Sequence, residues 1–168
     1  MDFRGAPAEL DDGHICFKEF VSEAHARVVG NILVCLYSHP RRSEWRPYNS
    51  LLAVRTGECS IRNPDVSVYC RKAPPEDRHT QLLGDPRVVV EVLSPSTASY
   101  DQKVKLDEYR ALAGVQDILL VDLARERVRL VTRTAPEEWT DRWLERGADV
   151  PVPSLGLVLP HAEIFAED

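Results

Sequence analysis

Two acidic residues stand within or beside stretches that otherwise have the composition of buried strands. Glu91 lies inside VVVEVL, residues 88–93, and Asp65 follows Pro64 at the start of another strand-like stretch. A lone buried carboxylate is costly to ionise, so such a group is paired, protonated or bound to a metal. If the two strands were neighbours and these side chains converged at one strand end, their oxygens would suit Mg²⁺, which would also offset their mutual repulsion.

Each acid also has a purely structural interpretation. Glu91 could pair with a nearby arginine or lysine, and Asp65 could simply begin a strand or cap a turn. For either residue by itself the structural interpretation is the better one. The two acids together, followed by a lysine on the next helix, favour a metal-dependent active site.

The helix predicted after the strand of Glu91 carries two lysines. On a wheel of about 100° per residue, Lys105 projects between Tyr109 and Leu112, whereas Lys103 projects roughly opposite Leu112. Because Tyr109 and Leu112 should face a sheet, we expect Lys105 to point inward and Lys103 to point to water. Asp101 precedes Lys105 by four residues and could pair with its ammonium, which is compatible with a catalytic role. Tyr109 could border the site or be a core tyrosine.

The first helix is predicted from SEAHARVVGNILVCLYS, residues 22–38, with Ser22 as its N-cap. Its apolar stripe comprises Val21, His25, Val28, Val29, Ile32 and Leu36. A histidine on such a stripe is usually a core residue, but His25 could also lie at the edge of the site. Glu23 projects away from the stripe.

The remaining elements are mostly predicted strands. They are residues 50–56, 64–70, 87–93, 117–122 and 127–134; residues 137–145 fit a strand or a helix, residues 39–50 a loop, and residues 151–165 an irregular packed tail. This order of helix, strands, helix and strands predicts an α/β (α+β) protein with a mixed β-sheet flanked by helices.

A basic and aromatic stretch lies in the predicted loop of residues 39–50. Arg41, Arg42 and Arg46 are interleaved with Trp45 and Tyr48, a composition that could follow a nucleic-acid backbone. The intervening glutamate favours an ordinary solvated loop instead, so both interpretations stay open.

Composition bounds the possible functions. The chain has 168 residues, which suits one domain, and its net charge of −6 argues against a general nucleic-acid binder. No apolar run approaches the ~20 residues of a membrane span. The N-terminal stretch has neither an apolar nor a basic leader region, so we expect a cytoplasmic protein.

None of the four cysteines forms a C-x-x-C pair, which argues against a zinc ribbon or a redox pair. We therefore expect the cysteines to be free thiols.

Together these motifs resemble the Uma-two (Uma2) family, which belongs to the PD-(D/E)xK nuclease superfamily and is classed as restriction-endonuclease-like. The matching positions are Pro64-Asp65, Glu91-x-Leu93 with SPST at 94–97, Asp101-x-x-x-Lys105-x-x-x-Tyr109, Gly114-Val115, Leu120-Val121-Asp122, His25 and the closing SLGLVLPHAEIF. The resemblance implies a mixed sheet of about four or five strands with a helix on each face.

The resemblance also implies a role for each matching residue. Asp65 and Glu91 would bind Mg²⁺ or Mn²⁺, the carbonyl of Val92 would add a ligand, and Lys105 would assist hydrolysis of DNA. The usual strand lysine of the superfamily is Leu93 here, so Lys105 of the helix would replace it. A homodimer is expected by analogy. The alternative is a catalytically inactive interaction module on the same fold, which the acidic balance and the missing strand lysine favour.

Overall fold

A computed structural model describes residues 8–18, 20–70, 84–94 and 101–167, apart from the side chain of Asp101. Residues 95–97 of the SPST loop and the predicted pairing of Asp101 therefore lie outside the described residues. The strands are β1 Ala8–Asp11, β2 His14–Phe17, β3 Trp45–Asn49, β4 Val54–Arg55, β5 Ile61–Arg62, β6 Val66–Cys70, β7 Val88–Leu93, β8 Asp117–Asp122, β9 Arg127–Ala135, β10 Glu138–Leu144, β11 Val150–Val152 and β12 Leu157–Leu159. The helices are α1 Glu23–Ser38, α2 Leu106–Ala111 and α3 His161–Ile164, with a π-helical turn at Asp101–Lys105 and a 3₁₀ turn at Pro153–Leu155.

The main sheet has six strands in the order β10-β9-β8-β7-β6-β3. Strands β7 and β8 are parallel and the other neighbours are antiparallel, so the sheet is mixed as predicted. The α+β fold class is confirmed, although the sheet has more strands than the resemblance implied. Residues 137–145 contribute strand β10 rather than a helix.

Strand β3 corrects the prediction that residues 39–50 form a loop. It pairs with β6 and ends the sheet, and it contains Pro47. A proline cannot donate to a ladder, which argued for a loop, but it is tolerated in an edge strand. Arg46 therefore lies on a strand, opposite Tyr69. Residues 50–56 contribute only the short β4, so most of that predicted strand is wrong.

The two faces of the main sheet are covered by different helices. Val28 and Ile32 of α1 pack with Val90 on one face, in a core that also includes much of β11, β12 and α3. Leu106 and Tyr109 of α2 pack on the other face in a second core. Every residue of β7 is buried because both faces of the sheet are covered. Side chains alternate along the strand, so the odd-numbered positions face α2.

Helix α1 follows the predicted pattern closely. The hydroxyl of Ser22 accepts a hydrogen bond from the amide of His25 at 3.2 Å, which satisfies one of the first unpaired donors. His25, Val28, Ile32 and Leu36 are buried. Val21 is exposed because it precedes the helix, so that end of the predicted stripe is wrong.

A second sheet, which the sequence analysis did not predict, has the order β2-β1-β5-β4. Its hairpin turns at Asp12 and Gly13, whose φ angles of 43° and 81° are both positive. Asp-Gly between short apolar stretches is a recognised hairpin signal, and it could have revealed this element. The hairpin brings Glu9 of β1 to within 3.2 Å of Lys105.

The C-terminal segment is more regular than predicted. Strands β11 and β12 form a hairpin, joined through a turn in which Gly156 has a φ of 63°, and α3 follows. All four cysteines have free thiols. In the described part of the chain, no helix has the length and apolar character needed to cross a membrane.

Candidate active site

The two acids singled out from the sequence meet at one end of the β6–β7 ladder. Val66 pairs with Val90, Asp65 directly precedes Val66, and Glu91 directly follows Val90. Asp65 is 6% exposed and Glu91 is 2% exposed. The antiparallel register therefore places two buried carboxylates at the same strand end.

Asp65 extends the strand pairing through its side chain. Its Oδ2 accepts a hydrogen bond from the amide of Val92 at 2.8 Å, and its Oδ1 lies 3.1 Å from Nε2 of His25. Burial by itself raises the pKa of Asp65, but the hydrogen bond and charge of His25 lower it. The charge of Lys18 and the Val92 amide lower it further, so the pKa of this carboxyl lies below its ordinary value.

Glu91 is oriented by the helix that covers its face of the sheet. The hydroxyl of Tyr109 donates to Oε1 of Glu91 at 2.6 Å, and Nζ of Lys105 lies 3.4 Å from the same oxygen. Tyr109 is fully buried. Both donors come from one side because Glu91 is an odd-numbered residue of β7 and so faces α2.

Lys105 is buried and Lys103 is exposed, as the helical wheel predicts. Lys105 ends the π-helical turn that runs directly into α2. Such turns are rare and are frequent at functional sites. The turn and the helix together carry Lys105 and Tyr109 to the same oxygen of Glu91.

Sequence reasoning missed Glu9 and Arg62. Nζ of Lys105 is 3.2 Å from Oε1 of Glu9, slightly closer than it is to Glu91. Arg62 is 1% exposed, and its guanidinium contacts Asp11 at 2.6 Å and Glu108 at 2.5 Å. The Asp12-Gly13 turn signal could have revealed the strand that carries Glu9, but nothing local marks Glu9 or Arg62 as buried.

The other predicted site residues are placed as follows. His25 lies at the site through its contact with Asp65, and its Nδ1 is buried with no partner among the described residues. Val92 contacts the site through its amide. Arg41 is held by Glu44 at 2.8 and 2.6 Å, and Arg42 donates to the carbonyl of Tyr37 at 3.4 Å.

The carboxylate oxygens of Asp65 and Glu91 are donors of the kind that a hard divalent cation binds, but they are two side chains rather than three or more. Carboxylate oxygens are the ligands that Mg²⁺ prefers, and each can accept more than one contact, so the bonds to His25 and Tyr109 leave acceptor capacity. Within residues 8–18, 20–70, 84–94 and 101–167, no group of three or more acidic, histidine or cysteine side chains is arranged to hold a metal. A cation here would thus rest on Asp65 and Glu91 together with main-chain or solvent oxygens.

A mixed sheet with helices on both faces, Asp65 and Glu91 at one strand end and Lys105 beside Glu91 is the arrangement that the sequence motifs led us to expect. A model of the Uma2 family, described as "Putative restriction endonuclease", matches residues 2–162. The chain therefore belongs to the Uma2 family.

Two relatives come from Synechocystis sp. The protein slr1290 is 35% identical over 94 residues, covering 56% of this chain and 48% of that protein. The protein sll1609 is 30% identical over 76 residues, covering 45% of this chain and 43% of that protein. Both carry the description "Uncharacterized protein", and the matched regions span a little under half the length of each.

The fold also has a counterpart among crystal structures. The protein described as "a putative nuclease belonging to DUF820" from Anabaena variabilis superposes with a TM-score of 0.78 at 21% identity. The match covers 95% of this chain and 89% of that chain. At this identity the likeness establishes the fold.

Proposed function

We propose that this protein is a metal-dependent endonuclease that hydrolyses phosphodiester bonds of DNA. The observation that carries the proposal is the juxtaposition of a buried lysine ammonium and Glu91, 3.4 Å apart, at the strand end that also bears Asp65. Membership of a family described as "Putative restriction endonuclease" supports the same reaction.

Asp65 and Glu91 would hold Mg²⁺ or Mn²⁺, with the carbonyl of Val92 as a further ligand. When bound, the ion would polarise a phosphate oxygen and lower the pKa of a coordinated water. Lys105 would offset the negative charge that develops on the phosphate or orient the attacking water. In the superfamily the lysine lies on the strand, at the position that Leu93 occupies here. Lys105 would supply the ammonium in its place.

The surrounding residues would orient these groups. Tyr109 donates to Glu91 and fixes the direction of its carboxylate. His25 does the same for Asp65 from helix α1. Asp101 remains a candidate partner of Lys105, and Arg41, Arg42 and Arg46 remain candidates for contact with the DNA backbone. Of these arginines, Arg46 is the best candidate, because its side chain has no hydrogen bond or ion pair within the described residues, whereas Arg41 is paired with Glu44.

Cleavage of supercoiled plasmid with Mg²⁺ or Mn²⁺ tests the proposal. We expect Asp65→Asn and Glu91→Gln to reduce the rate by about 10²–10³-fold, since a metal supplies several kcal/mol of transition-state stabilisation and ~1.36 kcal/mol is a factor of ten. Lys105→Ala should also abolish most activity, whereas Lys103→Ala, two residues away and exposed, serves as its control. Wild-type rates in either acid variant would overturn the site assignment.

One observation favours the inactive interaction module. Both acids already have protein partners, Asp65 in His25 and Glu91 in Tyr109 and Lys105. Calorimetric titration with Mn²⁺ distinguishes the two functions. Binding that requires both acids supports the nuclease, and the absence of binding heat at millimolar Mn²⁺ supports the module.

Cutting both strands of a duplex in one encounter requires an active site at each strand, so we include a homodimer in the proposal. Sedimentation of the protein with and without a short duplex tests it. A strictly monomeric protein that still makes double-strand breaks at once would contradict this part.

A further inference from the structure

Glu9 is a buried acid that reaches the candidate active site from outside the main sheet. It lies on β1 and is 7% exposed. Its Oε1 is 3.2 Å from Nζ of Lys105, so the ammonium lies between Glu9 and Glu91. The ammonium is therefore shared by a carboxylate of the main sheet and a carboxylate of the smaller sheet.

The position of Glu9 does not depend on Lys105. Its Oε1 accepts a hydrogen bond from the amide of Asn63 at 3.0 Å, and Nζ of Lys18 lies 3.7 Å from the same oxygen. Nη1 of Arg62 lies 3.8 Å from Oε2. A main-chain donor and two further cations thus hold this carboxylate in place.

Lys105, by contrast, carries its charge on a flexible four-carbon chain. An ammonium that must sit beside a reacting phosphate needs a fixed partner, because misplacement by about 1 Å can cost 10²-fold in rate. Glu91 would be engaged by the metal during the reaction. Glu9 is a carboxylate that would remain beside Lys105 at that stage.

We propose that Glu9 is a positioning residue that holds the Lys105 ammonium in the active site. The inference rests on the proposed nuclease function for its catalytic meaning, but the contact itself can be tested without catalysis. The competing explanation is that Glu9 only balances the charges of Lys18 and Arg62.

The chain is well suited to a direct test because it has four lysines, namely Lys18, Lys72, Lys103 and Lys105. Limited acylation of the metal-free protein with acetic anhydride, followed by mass spectrometry of its peptides, gives the ratio of modification at Lys105 to that at exposed Lys103. Releasing the ammonium from Glu9 should raise this ratio.

Three variants separate the explanations. Glu9→Gln keeps the shape and removes the charge, and we expect the ratio to rise about tenfold, as the loss of a hydrogen bond to a charged group implies. Glu9→Asp keeps the charge but shortens the side chain, so a rise of about threefold is expected. Asp11→Asn is the control, because Asp11 lies on the same strand and pairs with Arg62 at 2.6 Å; its ratio should equal that of the wild type.

The outcomes are distinct. Unchanged ratios in both Glu9 variants, or an equal rise in Asp11→Asn, would overturn the positioning role. If circular dichroism shows that Glu9→Gln does not fold, Glu9→Asp alone decides, with an unchanged ratio counting against the proposal.

Activity gives the second readout. With Mg²⁺, Glu9→Gln should lower kcat for DNA cleavage about tenfold and leave KM within about twofold, with partial recovery in Glu9→Asp. A proportional rise in KM at constant kcat would instead place Glu9 in DNA binding and contradict the proposal. If the wild type cuts no DNA, the proposed function fails while the acylation ratios still decide whether Glu9 holds Lys105.

Discussion

The charged residues of the candidate active site and those of the β9–β10 hairpin are of the same types but differ in burial and in origin. We call Glu9, Arg62, Asp65, Glu91 and Lys105 the buried cluster; each is at most 7% exposed. On the hairpin, Arg129 and Asp141 form two hydrogen bonds of 2.8 Å while remaining partly exposed. The hairpin residues are cross-strand neighbours, whereas the buried cluster is drawn from four strands or strand ends and a helical turn.

This difference indicates which charged side chains have a role other than stabilising the fold. Exposed ion pairs contribute about 0–1 kcal/mol because solvent screens them. Buried charges are costly to desolvate, and apolar replacements of a whole buried pair are often neutral or stabilising. A buried cluster that joins two sheets and a helix is therefore better explained by the position it gives Lys105 and the acids than by its contribution to folding.

The largest expected effect comes from removing the guanidinium of Arg62 from the buried cluster. Arg62→Met should lower the free energy of unfolding by about 3–5 kcal/mol, because it leaves the carboxylates of Asp11 and Glu108 without their guanidinium. Urea denaturation measures the change. Arg129→Met on the hairpin is the matched variant and should cost at most about 1 kcal/mol. Equal losses in the two variants would remove the distinction between the regions.

A smaller loss of stability is expected when the Tyr109 hydroxyl that orients Glu91 is removed. Tyr109→Phe removes the 2.6 Å hydrogen bond and should cost about 1–3 kcal/mol of stability, since it leaves a buried carboxylate short of a donor. Tyr37→Phe is the control: Tyr37 is exposed and donates to the carbonyl of Pro47 at 2.8 Å, so its loss should cost about 0.5–1 kcal/mol. Thermal unfolding of both variants compares the two. Tyr109→Phe unfolding no earlier than Tyr37→Phe would show that Glu91 does not depend on this donor.

The smallest effect is the pH dependence of the hairpin pair. The hydrogen bond from Arg129 is the main cause that lowers the pKa of Asp141 below its ordinary value, and the charges of Arg129 and Arg110 add to it, although burial acts the other way. A lowered carboxyl pKa stabilises the folded protein above the unfolded pKa of about 3.9, and that stabilisation is lost as the pH falls through the folded pKa. Asp141→Asn should therefore cost about 0.5–1 kcal/mol at pH 7, and the cost should diminish below about pH 4.

Urea denaturation at pH 7 and at pH 3 gives the comparison. A cost that stayed constant, or grew, on acidification would show that the carboxylate charge of Asp141 does not contribute. High salt should reduce the same cost at pH 7, because the pair is partly exposed.

Several strands of the main sheet and the first helix were readable because their signals are local. The valine-rich strand of Glu91, the alternation after Asp65 and the stripe of α1 all follow from the period of their own apolar residues. The orientation of Lys105 followed from the spacing of Tyr109 in the same way, despite the π-helical turn. The errors fell where local signals conflict with context, as at Pro47, which suits an edge strand as well as a loop.

The sequence by itself indicated that Asp65 and Glu91 belong to buried strands, that Lys105 rather than Lys103 points inward, and that the chain belongs to the Uma2 family. Only the tertiary structure decided that Val66 pairs with Val90, that Tyr109 and Lys105 share one oxygen of Glu91, and that Glu9 and Arg62 join them from the smaller sheet. The reason is physical: periodicity reports which face of an element is apolar, whereas a contact between Glu9 and Lys105, 96 residues apart, depends on how separate sheets pack.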